Sequence, residues 1–276
     1  MKHFFNATLR LMSVALLLAN AAFAQSQYNP KGFAEKWNVS LTPFFIIPTV
    51  SGEIESQFLT EEYGISTSQF VQTLSGMAMI NAEVWKGQFF ISPSWAYNKN
   101  EVDATLWNSE LGEMQLDANP IYTRHIVEVK SGWRINLENK VFLDPFVGFR
   151  YTNYHLEGSL TGTNTARDFN EQQEFWDPIL GFQVHYYPHP RVPLEFRSDL
   201  GGFGVGSEVT WSTFIHAGYA VAPWLDVLAG FAALSNNYEG QTRVSNQTFT
   251  LTSTTFGADV GFRFYLTGRS KSAFGQ

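Results

Sequence analysis

The stretch Thr254-Thr255-Phe256-Gly257-Ala258-Asp259-Val260-Gly261-Phe262-Arg263-Phe264-Tyr265-Leu266 decides the fold. In an extended chain Ala258, Val260, Phe262, Phe264 and Leu266 share one face, and Gly257, Asp259, Gly261, Arg263 and Tyr265 share the other. A soluble sandwich usually reserves its apolar face for a core. A long strand that is apolar on one side and ionic on the other also suits the wall of a transmembrane barrel.

The opposite end of the chain supports the second reading. Lys2 and Arg10 give a positive start, Leu11 to Ala19 an apolar run, and Ala22-Phe23-Ala24 before Gln25 a small-x-small cleavage site. Residues 1–24 are therefore expected to be a cleaved secretory signal peptide, leaving 25–276 as a single barrel domain. The apolar run is too short to span a bilayer. With no cysteine in the chain, disulfides, thiol ligands and a lipidated cysteine are excluded.

Composition removes further classes. Losing Lys2 and Arg10 with the leader takes the formal charge from −7 to about −9, so the basic footprint of a nucleic-acid partner is missing. Aromatic residues equal charged ones at 16% each, an unusual ratio for a soluble surface. Yet mean hydropathy is −0.14 and no run of about 18 apolar residues follows the leader, which excludes helical spans. A barrel wall remains, since each strand need be only half apolar.

The same alternation recurs along the chain. A first strand near Trp37 to Pro48 sets Val39, Leu41, Pro43, Phe45 and Ile47 on one face. Thr73 to Trp85 and Gln88 to Asn98 flank the turn Lys86-Gly87 as a hairpin. In Ile121 to Ile135, Val127, Val129, Trp133 and Ile135 oppose Arg124, Glu128, Lys130 and Arg134. Next, Leu143, Val147, Phe149 and Tyr151 oppose Asp144, Gly148, Arg150 and Thr152; Phe175 to Tyr187 follows the same rule. Further on, Val192, Leu194, Phe196 and Leu200 oppose Glu195, Arg197 and Asp199, and Val209, Trp211, Ile215, Tyr219 and Val221 oppose Glu208, Ser212 and His216. Another strand starts at Trp224.

Brief connections at Lys86-Gly87, Asn136 to Lys140, Pro188 to Arg191 and Ala222-Pro223 alternate with long ones at Ser51–Gln72, Lys99–Pro120, His155–Glu174 and Ser235–Gln247, plus a glycine-rich link at Gly201–Gly206. Tight turns on one rim and long loops on the other predict an all-β, closed, antiparallel up-and-down transmembrane β-barrel of about ten strands, with 8 or 12 as alternatives. Both termini fall on the short-turn side, which predicts outer-membrane localisation with periplasmic ends. Trp37, Trp85, Trp133, Trp211, Tyr219 and Trp224 lie near strand ends, where interface girdles are expected. The alternative is a soluble exported barrel, lipocalin-like, with the two faces reversed.

Trp176-Asp177-Pro178-Ile179 with Gly181, and Asp199-Leu200-Gly201-Gly202-Phe203-Gly204-Val205-Gly206-Ser207-Glu208 with Trp211, resemble a largely uncharacterised family of Gram-negative outer-membrane β-barrel proteins. Thr255-x-Gly257-x-x-Val260-x-Phe262 is similar to the C-terminal signal read by the barrel assembly machinery. The resemblance is strongest from about Phe142 to Leu266 and implies a fold, a location, lipid as surroundings and that machinery as a transient partner, without implying an activity. Outer-membrane barrels commonly end on an aromatic residue, whereas Thr267 to Gln276 trails past the last strand here.

The candidate site is the inward charge set: Glu83, Arg124, Glu128, Lys130, Arg134, Asp144, Arg150, Glu195, Arg197, Asp199, Asp259 and Arg263. It could line a conduction path, or it could fill a narrow lumen with ion pairs, because a small barrel must satisfy every buried charge. Both signs alternate along the strands, as in Arg124 with Glu128, and bulky Phe146 and Tyr154 share the inward face; a filled lumen is expected, with Arg197 holding the flanking Glu195 and Asp199.

The Gly201 run lacks G-x-G-x-x-G spacing and lysine, so it reads as a tight turn rather than a phosphate loop. His125, His155, Asp168 and Asp177 are the only residues suggesting catalysis near a rim; no nucleophile elbow, metalloprotease helix, metal site or cofactor motif accompanies them. Three functions stay open: a structural or surface-interaction barrel, a narrow pore for small solutes, and a membrane-embedded hydrolase or acyl-transfer enzyme.

Overall fold

The computed structural model describes residues 37–56, 60–101, 117–118, 121–138, 140–161, 166–241 and 248–267. The expected leader, the lead Gln25 to Lys36, most of the 99–120 connection and the tail after Thr267 lie outside the described residues. In chain order the elements are β1 (Asn38–Ser56), β2 (Thr60–Ile65), α1 (Thr67–Thr73), β3 (Leu74–Lys86), β4 (Phe89–Glu101), β5 (Asp117–Ala118), β6 (Ile121–Trp133), β7 (Ile135–Glu138), β8 (Val141–Thr161), β9 (Ala166–His189), β10 (Val192–Gly202), β11 (Val209–Ala222), β12 (Leu225–Gln241) and β13 (Thr248–Tyr265).

Ten strands, β1, β3, β4, β6 and β8 through β13, each pair antiparallel with their neighbours in this order, and β13 returns to β1. The result is a closed up-and-down barrel. Short β2 pairs with β1, while β5 and β7 pair with β8.

Closure fixes the dimensions. Stepping across paired residues from Asn38 leads through Trp85, Phe90, Gly132, Phe146, Gly181, Asp199, Ser212, Leu234 and Thr255, and returns to β1 at Val50, a shear of 12 residues. For ten strands that shear implies a tilt of about 40° and a backbone radius of about 10 Å, from spacings of ~3.3 Å along and ~4.8 Å between strands. Every residue on the path has the same facing, because the shear is even.

The outward face carries a belt without charge. Its members are Val39 to Ile47 on β1, Phe89 to Tyr97 on β4, Leu143 to Tyr151 on β8, Trp176 to Tyr186 on β9 and Phe256 to Phe264 on β13, taken at alternate positions, and the other five strands supply equivalents. No Asp, Glu, Lys or Arg occupies an outward position within it. Side chains such as Val147, Phe149, Leu180, Phe231 and Phe256 are more than half exposed there.

Beyond the belt, on the long-loop end, the wall continues. β8 runs for 21 residues and β9 for 24, so most of the expected His155–Glu174 loop is strand. Likewise β1 extends to Ser56 and β12 to Gln241. What stops at these points is the apolar alternation, not the hydrogen-bond ladder: outward residues become Asn153, His155 and Glu157 on β8 and Ser235, Asn237 and Glu239 on β12. Only β10 and β11 end at the belt, at the Gly201–Gly206 link.

That link is a tight turn. Gly202, Phe203 and Gly204 all have positive φ (86°, 53° and 72°), and Val205 N–H donates to Gly202 O at 3.0 Å. One expectation about aromatics fails. Trp37, Trp133, Tyr219 and Trp224 are exposed near the belt's edges, but Trp85 is buried in the lumen with Phe90, Phe146 and Ile179. Position near a strand end does not decide facing; parity does.

The 51–72 connection is not a plain loop either. α1 starts at a capping box in which Ser66 N–H donates to Gln69 Oε1 (2.9 Å) and Gln69 N–H donates back to Ser66 Oγ. Phe70 is buried, and Asn100, on the inward face of β4, donates to Phe70 O (3.3 Å) and to Thr73 Oγ1 (3.0 Å). These bonds seat α1 at the long-loop mouth of the lumen.

Candidate functional site

The inward charges form two tiers. In the tier nearer the short turns, Arg134, just past β6, grips Asp144 of β8 through Nε (3.0 and 3.1 Å) and Nη2 (2.6 Å), while Nη2 also reaches Glu83 of β3 at 3.0 Å. His185 of β9 sits 3.0 Å from Asp144 Oδ2 and 3.5 Å from Glu195 Oε1. Glu195 of β10 in turn holds Arg263 of β13 in a bidentate pair, with Nη2 to Oε2 at 2.7 Å. Tyr265 OH donates to the buried Asp226 at 2.8 Å. Partners from β3, the β6–β7 junction, β8, β9, β10, β12 and β13 thus line this tier of the lumen.

The second tier centres on Arg150, which is fully buried. Its Nε donates to Glu128 Oε1 (2.7 Å), Nη2 to Asp199 Oδ1 (2.7 Å) and Ser212 Oγ (3.2 Å), and Nη1 to Thr210 Oγ1 (3.1 Å). Lys130 Nζ completes Glu128 from below at 2.6 Å. Gly181 makes this possible: it lies between Phe146 and Asp199 on adjoining strands, and a Cβ there would come within 2.7 Å of both side chains.

Arg197 does not have the part its sequence position suggested. Its flanking carboxylates are satisfied elsewhere, Glu195 by Arg263 and Asp199 by Arg150, while Arg197 lies over the Phe214 ring at 3.9 Å and approaches Glu128 only to 3.8 Å. Arg124 likewise pairs with Asn98 (3.1 Å) and Thr255 (3.4 Å) rather than along its strand with Glu128. Asp259 faces His216, 2.8 Å away.

Between the tiers and the β1, β3 and β11–β13 walls lies a cavity of about 140 Å³. Above it the lumen narrows again: Tyr154 and Phe175 are buried, Phe175 stacks on Tyr238 at 4.7 Å, and Asn236 donates to Tyr154 OH at 3.2 Å.

The two sequence motifs meet. Asp177 Oδ1 accepts from Ser207 N–H (2.8 Å) and Ser207 Oγ (2.9 Å), so the Trp-Asp-Pro segment of β9 anchors the turn that joins β10 to β11. Of the suggested catalytic residues, His125 points outward against Tyr97 at 4.9 Å, His155 contacts Asn170 at 3.1 Å, and Asp177 is buried against Ser207. Asp168 belongs to β9. Of the assembly-signal positions, Thr255 and Gly257 face inward and Val260 and Phe262 outward, all on the closing strand.

Sequence reading did not single out His185, Thr210, Ser212 or His216 as network members. Their inward parity was legible, but their partners depend on the shear.

No protein-family model matches the chain, and no curated protein matches it. Among solved structures, the outer membrane protease OmpT of Escherichia coli is similar with a TM-score of 0.50 at 13% identity, over 89% of this chain and 100% of that one. The translocator domain of the autotransporter NalP from Neisseria meningitidis gives a TM-score of 0.42 at 9% identity, over 94% and 96%. Ail of Yersinia pestis, in complex with a heparin analogue, gives 0.37 at 8% identity, over 82% and 99%. At these identities the likeness is one of fold: this chain is a closed antiparallel barrel of the kind OmpT forms.

Proposed function

We propose that the protein is an integral outer-membrane barrel whose lumen is closed by ion pairs, and that it acts as a structural or surface-interaction platform. The observation that carries this is the charge-free outward belt. Its nine to eleven residues per strand, tilted about 40°, cover about 23 to 28 Å, which matches the ~25 Å apolar band of such barrels. A soluble barrel with an apolar interior would have the opposite facing, and here the interior holds the charges.

In this reading the short turns and both termini are periplasmic, the leader directs export, lipid surrounds the belt, and Thr255, Gly257, Val260 and Phe262 present the closing strand to the assembly machinery. The polar extensions of β8, β9, β12 and β1 then stand above the outer leaflet as a collar available to partners. The test is twofold. Carbonate or high salt should fail to extract the protein from outer membranes, and the purified barrel should give no steady conductance in planar bilayers. Extraction would reject the membrane location.

The cavity of about 140 Å³ favours a second reading, a narrow pore for small solutes. A steady conductance of porin size would establish that reading over the first.

A further inference from the structure

The ladder that closes the barrel is interrupted between two neighbours. β1 and β3 pair from Asn38↔Trp85 to Pro43↔Ile80 and no farther, although β1 continues along β13 to Ser56 and β3 continues along β4 to Leu74. β1 regains a partner on that side at Val50, which pairs with Ile65 of β2. Between these points lies a window, framed by Phe44–Thr49 of β1, by Leu74–Met79 of β3 and by α1, whose Thr67 Oγ1 meets Thr49 Oγ1 at 2.9 Å.

Strand geometry tells which groups face it. Alternate residues of a strand turn their N–H and C=O to opposite neighbours. Val39 O accepts from Leu266 N–H, so odd-numbered residues of β1 turn toward β13 and even-numbered ones toward β3. Phe44, Ile46 and Pro48 therefore turn toward the window, and Met77 and Met79 of β3 turn back across it, in phase with Trp85 opposite Asn38. Among the described residues none of the five has a ladder partner on that side. Pro48 has no N–H to leave unpaired, as suits a strand edge.

The window is at membrane depth. Phe45 and Ile47, which point outward from its β1 lip, are belt residues 54% and 53% exposed. Hydrocarbon does not tolerate an open sheet edge, whereas a wet cavity does. Here the inward side chains of the lips, Phe44, Ile46 and Met79, line the lumen cavity. The ion-pair tiers bound that cavity toward the short turns, and the layer of Tyr154, Phe175 and Tyr238 narrows it toward the long loops. The interrupted wall is its side exit.

We propose that the window is a lateral portal through which a neutral single-chain amphiphile, in its simplest form a medium-chain alcohol, passes between the outer leaflet and the lumen cavity. Lips of phenylalanine, isoleucine and methionine suit an alkyl chain. A hydroxyl both donates and accepts, so it can serve the N–H and C=O groups of either lip. Charges of both signs line the cavity, Arg124, Arg197 and Arg263 beside Glu83, Glu128, Glu195 and Asp259, so a neutral head is accommodated where an ion of either sign meets a like charge. The volume of about 140 Å³ exceeds the ~10–15 Å³ that a single water requires. The portal rests on the membrane location proposed above and adds to it an exchange with the bilayer.

The chain has no cysteine, so cysteine pairs report on the wall directly. In the full barrel folded into lipid vesicles, Leu41→Cys/Ala82→Cys, a paired position below the window, should oxidise to a disulfide. Phe45→Cys/Ala78→Cys, the pair that a continued ladder would make, should not. A disulfide at the second pair as readily as at the first means a continuous wall and overturns the proposal.

Entry is read with a diazirine-bearing octanol dissolved in the same vesicles, followed by mass spectrometry. Adducts should appear on Phe44, Ile46 and Met79 as well as on the belt residues Val147 and Phe149. A short bismaleimide bridging Phe45→Cys and Ala78→Cys should remove the lip adducts and spare those on the belt. Adducts on the belt alone, or lip adducts that survive the bridge, overturn the portal. Equal labelling of the lips by a diazirine-bearing octanoate overturns the neutral head group. Absence of adducts from Val147 and Phe149 as well would reject the membrane location, and the portal with it.

Discussion

Replacing Arg150 with methionine tests whether the lumen is a structural network. The guanidinium is fully buried and serves two carboxylates and two hydroxyls. Methionine keeps much of the volume and removes the charge, leaving Glu128 Oε1 and Asp199 Oδ1 without their cation. Breaking one partner of a buried pair costs about 3 to 5 kcal/mol. Glu128 keeps Lys130 at 2.6 Å and Asp199 keeps the Ser212 hydroxyl, so the lower end, about 3 kcal/mol, applies here.

For a chain of this size that corresponds to a fall of about 6 to 12 °C in the unfolding midpoint. The assay is thermal or urea unfolding of the detergent-folded barrel, read by heat-modifiable gel migration. The decisive comparison is the double variant Arg150→Met/Asp199→Asn. It removes one charge of each sign and leaves Glu128 with Lys130, so most of the loss should return, to within about 1 kcal/mol of wild type. If Arg150→Met unfolds within about 0.5 kcal/mol of wild type, or if the double variant is as unstable as the two single losses added, the reasoning is refuted.

Arg197→Ala should cost less than about 1 kcal/mol in the same unfolding assay, because this side chain has one loose ionic contact at 3.8 Å and a ring beneath it. Val129→Arg puts a charge on the outward belt and should lower stability by about 2 to 4 kcal/mol at mid-depth; a spin label at the same position should report lipid, and a report of water would overturn the facing. Phe203→Asn should stabilise the β10–β11 turn by about 1 kcal/mol in unfolding measurements, since φ of 53° is strained for phenylalanine and tolerated by asparagine. Gly230→Val should sharply reduce the folded yield on refolding gels, because its Cβ would lie 1.9 Å from Ile215 O.

What the sequence made legible is parity. Alternation alone places Val127 and Val129 on one face and Glu128 and Lys130 on the other, and the same rule orders β8 through β11 and β13. Two things were not legible. Where a strand leaves an apolar belt for water its alternation disappears although its ladder continues, so the 155–174 segment reads as a loop. The ionic partners were hidden as well: Arg150 meets Asp199 and Arg263 meets Glu195 across strands far apart in sequence. Neighbouring positions in a strand, such as Arg197 beside Glu195 and Asp199, share a face but diverge once the strand is tilted and the lumen brings other strands closer.

The inner wall also answers a question that the outer belt leaves open. A slip of one residue between two strands would turn apolar side chains inward, and the belt forbids it. A slip of two would leave every outward residue outward, since parity is unchanged, so the belt cannot select a shear of 12 over 10 or 14. The lumen can. Shifted by two, Gly181 would no longer lie between Phe146 and Asp199, and a residue with a Cβ would enter a gap that is 2.7 Å from both. Gly230 would no longer underlie His216, and Arg150 would lose its place between Glu128 and Asp199. Each mismatch leaves a buried charge or a steric clash. The ion pairs therefore serve less to add net stability, which desolvation largely offsets, than to penalise the competing registers. A narrow barrel filled with charge is in this sense a register lock.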